Sequence, residues 1–70
     1  MYSAVYVAPG YSRPVVVTVL TSGGQVTVEK PVGDAWVVSD VLDADGTYPM
    51  QLGFNETRFT PSGGAVFEVS

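Results

Sequence analysis

Asp40, Asp43 and Asp45 form the one tight acidic cluster in the chain, and clustered carboxylates suit two chemistries, hard-cation binding and acid–base catalysis. Calcium binding fails on spacing. Setting Gly46 at the sixth position of a calcium loop places Val41 at the first ligand position and Leu52 at the twelfth, where an Asp and a bidentate Glu are required. Turn formation accounts for the same residues. Glycoside hydrolysis needs two carboxyl groups held about 5–10 Å apart across a cleft, one with a raised pKa. Acids at the tip of a turn in so short a chain have no cleft to face. The sequence contains no histidine and no cysteine. Serine nucleophiles therefore lack an imidazole base, and zinc and haem lack their usual ligands. The expectation is a protein that is not an enzyme, with no catalytic residues, cofactor or metal.

Aromatic side chains are the other candidates. Tyr2, Tyr6, Tyr11, Trp36, Tyr48 and Phe54 are of the type that stacks on sugars or grips peptides. Trp36 and Tyr48 sit in strand-like runs and are expected to fill the core with their polar tips outward. Tyr11, in Pro9-Gly10-Tyr11-Ser12-Arg13-Pro14, lies in a loop and is better placed to touch a partner. Tyr11, Trp36 and Phe54 are therefore the candidate ligand contacts. Asn55-Glu56-Thr57 is a formal glycosylation acceptor, read as coincidence because the N-terminus lacks the basic stretch of a secretory signal. Arg58, between Thr57 and Phe59, is expected in a surface ion pair.

Composition narrows the partners. Seventy residues make one domain, 1–70, with 1–14 as a candidate extended interface arm. Apolar residues make up 46% and charged residues 14%, well under the usual ~25%, so much of the surface is neither charged nor solvating. The net charge is −4, and Arg13, Lys30 and Arg58 are the whole basic complement. They cannot form the positive stripe that nucleic acid or an anionic membrane surface would need. No apolar run approaches the ~18 residues of a spanning helix. A single core of this size supplies roughly 3–5 kcal/mol, and without cysteine no disulfide can add to it. Association is the expected support.

These side chains must be positioned by strands. Helical apolar spacing is missing, whereas β-branched runs and Gly or Pro breaks recur at roughly ten-residue intervals. Strands are predicted at 3–8, 15–21, 25–30, 35–42, 47–52, 56–60 and 65–69. The fold class expected is all-β, a small antiparallel β-sandwich or barrel of about six or seven short strands joined by hairpins. A two-residue turn at Gly23-Gly24 would pair Val19 with Val28 and Val17 with Lys30, placing Val17, Val19, Val26 and Val28 on one dry face. A hairpin at Asp43-Ala44-Asp45-Gly46 would set Leu42 beside Tyr48 and Val38 beside Leu52, with Trp36 on the same face. A one-residue slip would gather Val37 and Val41 with Tyr48 and Met50 instead, and both registers stay open. A third hairpin at Pro61-Ser62-Gly63-Gly64 would point Phe59, Phe67 and Val69 inward, with Val66, Glu68 and Ser70 outward. Residues 2–8 and 15–20 are apolar on both faces, so they are either sandwiched between layers or at an interface, and in so thin a body an interface is the expectation.

From Trp36-Val37-Val38 through Asp45-Gly46 and Tyr48-Pro49, then Arg58-Phe59-Thr60-Pro61-Ser62-Gly63-Gly64-Ala65 and Val66-Phe67-Glu68-Val69, the chain resembles small β-rich virion proteins of tailed bacteriophages. The likeness covers residues 35–70 and consists of common turn idioms. It implies a non-enzymatic structural role on a particle, as capsid decoration or cement, or as a head-fibre or tail component. Such a protein would be assembled in the host cytoplasm, sit on the virion, form a homo-oligomer, and bind a major capsid or tail protein. Contacts are expected at Tyr2, Ala4, Val5, Tyr6, Val7, Val16 and Leu20, with strand addition by the N-terminal segment as the mode. The alternative is a carbohydrate- or receptor-binding β module.

Overall fold

The computed structural model describes residues 1–10 and 13–70. Its strands are β1 (Tyr6–Ala8), β2 (Val15–Leu20), β3 (Gln25–Val32), β4 (Ala35–Leu42), β5 (Gly46–Met50), β6 (Thr57–Ser62) and β7 (Val66–Val69). They form a four-stranded sheet in the order β1-β6-β3-β4 and a three-stranded sheet in the order β5-β2-β7. Every neighbouring pair is antiparallel. The chain is all-β, and its strands arise where β-branched residues alternate between a buried and an open face. Val15, Val17 and Val19 from β2 meet Val26 and Val28 from β3, with Phe59 and Phe67 filling the space between the sheets. Burying such side chains stabilises by about 1.5–3 kcal/mol each before entropy is charged against it.

The pairings differ from the expected hairpins. Val19 pairs with Gly46 and Phe67, and Val17 with Tyr48 and Val69, not with Val28 and Lys30. The connections 21–24, 43–45 and 63–65 each carry the chain from one sheet to the other. The first turn is centred on Ser22 and Gly23, at φ 50° and 88°, not on Gly23-Gly24, and the Gly24 amide donates to the Thr21 carbonyl at 2.8 Å. A Gly-Gly pair permits a hairpin or such an arch equally, and both place the same valines inside. Close packing explains the glycines here. A Cβ on Gly24 would lie 1.8 Å from the Ser62 carbonyl oxygen, so the two Gly-Gly turns nest backbone to backbone. The hairpin that does form joins β3 to β4, with Val32 opposite Ala35. Gly33, at φ 60°, supplies the positive φ that a two-residue turn needs at its first central position.

Neither register expected for 43–46 occurs, because β4 and β5 belong to different sheets. Asp45 ties that turn to the end of β2 instead: its Oδ1 accepts from the Thr21 amide at 2.7 Å and from the Thr21 hydroxyl at 2.8 Å. The Thr21 amide, and then its hydroxyl, hold the Asp45 carboxyl below its ordinary pKa. Trp36 is also not in the core. Val28 faces Asp40 but Glu29 faces Val38, so Ser39 is an extra residue in β4. This bulge reverses the alternation: Leu42 points inward, while Val38 and Trp36 point outward.

Candidate functional site

Two sides of the sandwich are built differently. Where β1 and β7 lie near each other, the N-terminal segment closes the gap. Tyr2 bridges to Phe67, its amide donating to the Phe67 carbonyl at 2.7 Å and its carbonyl accepting from the Phe67 amide at 3.0 Å. The chain then crosses to the other sheet, where Tyr6 pairs with Phe59. The Tyr2 and Tyr6 rings stack at 4.1 Å, above Phe59 and Phe67 at 5.4 Å from one another. Hydrogen bonds and aromatic burial act together here.

Among the described residues, the side between β4 and β5 has no such closure. A cavity of about 210 Å³ opens there, lined among others by Val28, Lys30, Asp40, Met50 and Leu52. Lys30 reaches across it from β3. Its ammonium donates to the Leu52 carbonyl and, at 2.7 Å, to the hydroxyl of fully buried Thr57. Burial lowers the Lys30 pKa. The chemistry is that of a structural cation satisfying buried oxygens, and Thr57 of the formal glycosylation triplet is enclosed with it.

The outer face of the four-stranded sheet carries a polar knot rimmed by valines. Arg58 grips Glu29 through Nε at 3.0 Å and Nη2 at 2.8 Å, and the Thr60 hydroxyl donates to the same carboxylate at 2.9 Å. The Arg58 hydrogen bonds hold Glu29 below its ordinary pKa, and Glu29 in turn raises that of Arg58. The guanidinium also lies over the Trp36 ring at 4.6 Å. Cross-strand register places Val7 beside Arg58 and Val38 beside Glu29, so one row reads valine, arginine, glutamate, valine.

The expected contacts are spread over the molecule. Val7 belongs to this outer face, and Val5 and Ala4 are exposed next to it in sequence. Val16 and Leu20 stand on the outer face of the other sheet, the opposite side of the sandwich. Tyr6 turns inward and packs against the core, and Tyr2 covers it. Of the candidate ligand contacts, Phe54 is 85% exposed, Trp36 is half-buried under Arg58, and Tyr11 lies outside the described residues. Val37, Val38 and Val41 on β4 were not anticipated as surface. The signal for Val37 and Val38 is the uninterrupted apolar run 35–38, which carries no proline. No family model, curated protein or solved structure matches the chain.

Proposed function

We propose that the chain is a non-enzymatic structural protein that self-associates and docks on a protein lattice, as a decorating or cementing subunit of a virion beside a major capsid or tail protein. One observation carries this reading. With the core already filled, apolar side chains remain on both outer faces, Val7 and Val38 on one, Val16 and Leu20 on the other. A subunit held in a lattice must meet neighbours on opposed surfaces, and apolar area removed from water contributes about 25 cal/mol per Å². Sedimentation equilibrium is expected to show a species larger than the monomer at micromolar concentration. A folded wild-type monomer persisting to about 1 mM removes the proposal.

A second reading, a carbohydrate- or receptor-binding module, is favoured by Phe54, which projects from the loop between β5 and β6. Glycan-array binding lost on Phe54→Ala, with folding intact, would select it.

A further inference from the structure

We propose that self-association runs through the free edge of β4: residues 34–38 of one copy pair antiparallel with the same residues of a second copy, about a two-fold axis at Trp36. The proposal rests on the self-association reading above and names its surface.

The choice of edge follows from how the other edges are finished. β7 is taken by the bridge from Tyr2. β5 carries Pro49, which has no amide to offer a neighbouring strand. β1 is three residues long and continues into the segment that crosses to β7. Proline, short length and covering are the usual defences of a sheet edge. On β4 they stop part-way. Asp40 accepts from the Val41 amide at 3.0 Å, and Ser39 forms the bulge. Residues 35–38 have no proline, no charge and, among the described residues, no side-chain cap on the backbone.

This stretch also overhangs the sandwich. Pairing between β3 and β6 ends at Glu29 and Arg58, so beyond it β3 and β4 continue as a two-stranded ribbon. Val32 is 61% exposed, Val37 49% and Val38 54%. A two-stranded ribbon is marginal in water, and a partner strand on each copy turns two ribbons into one four-stranded sheet.

Charge selects the register. Identical strands joined in one continuous antiparallel sheet are related by an axis perpendicular to it, so residues sharing a face must oppose each other. An axis at Val37 sets Asp34 against Asp40 twice, in a chain of net charge −4. Like charges directly opposite are destabilising. An axis at Val38 runs into the Ser39 bulge and places Trp36 against Asp40. An axis at Trp36 sets Trp36 against itself, Ala35 against Val37 and Asp34 against Val38, with no carboxylate facing another.

The test is sedimentation velocity over a concentration series, with the fluorescence of Trp36, the one tryptophan, as a local readout. Wild type is expected to associate with a concentration-dependent change in Trp36 emission. Val37→Lys and Ala35→Glu are each expected to raise the dissociation constant about tenfold or more. The double variant Ala35→Glu/Val37→Lys restores association, because each new charge then faces its opposite across the two-fold. Melting at low concentration checks that each monomer is folded. A wild type that stays monomeric to about 1 mM overturns the self-association reading itself. Association that neither single variant weakens overturns the β4 edge and leaves that reading standing. Weakening without rescue overturns the two-fold at Trp36.

Discussion

Along the side where β1 and β7 approach, the chain spends its own N-terminal segment to tie the sheets together. Along the side between β4 and β5 it leaves a cavity, a single structural cation and a bare strand edge. The first side is held by paired backbone and stacked aromatic rings, the second by Leu42, Met50 and Leu52 packing on the core and by Lys30 reaching to Leu52 and Thr57. The difference teaches that a chain this small completes one flank from within. Its aromatic side chains on the strands beside that flank are few, namely Tyr6, Phe59 and Phe67, and all gather there. The other flank packs Leu42, Met50 and Leu52 beside Tyr48, while Trp36 turns outward.

Removing an aromatic from the closed side should give the largest loss. Phe67→Ala is expected to cost about 3–5 kcal/mol, as much as the whole core supplies, so the variant should be unfolded at room temperature by circular dichroism. A cooperative melt within a few degrees of wild type would break the comparison, since the closed flank would then not be the stronger one.

On the open side, Lys30→Ala leaves the Leu52 carbonyl and the buried Thr57 hydroxyl without their donor, at about 1–3 kcal/mol by urea titration. The same variant sharpens the account of the cation. Because burial lowers the folded pKa of Lys30, the unfolded chain holds more protons in the window just below lysine's ordinary pKa. Stability from this group therefore rises with pH through that alkaline window and is lost as pH falls through the folded pKa. Lys30→Ala should flatten the rise, and an unchanged alkaline slope would assign it to another group.

Tyr2→Ala comes last. It removes one ring from the stack but leaves the backbone bridge to Phe67, and is expected to cost about 0.5–1.5 kcal/mol in chemical denaturation. A cost above that of Lys30→Ala would mean that the outer ring, not the bridge, closes this flank.

Most strand positions were legible from short β-branched runs between turn residues. Yet β1 spans only Tyr6–Ala8 of the expected 3–8, and Pro61 and Ser62, expected in a turn, extend β6. The inward set Val17, Val19, Val26 and Val28 was legible from alternation with a period of two, as were Phe59 and Phe67. Their partners were not. Gly23-Gly24 and Gly63-Gly64 are compatible with hairpins and with arches, and the energy that decides between them lies in strands tens of residues away. The outward face of Val16 and Leu20 could be read, and the inward turn of Tyr6 could not, since residues 2–8 look alike on both faces. Trp36 was misplaced by one residue: without the Ser39 bulge it would lie on the same face as Leu42. Lys30 shows no local sign of its role, because its acceptors come from the β5–β6 connection and from β6.

The sequence by itself determined that this protein is built of strands, which residues can turn inward on most of them, and that histidine and cysteine chemistry is closed to it. These follow from side-chain branching, hydropathy and turn residues, all properties of a few neighbouring positions. Tertiary structure alone decided which strands are neighbours, which flank is sealed and which edge is left bare. Those outcomes depend on hydrogen bonds between distant segments and on one bulge, where a single extra residue reverses every face that follows.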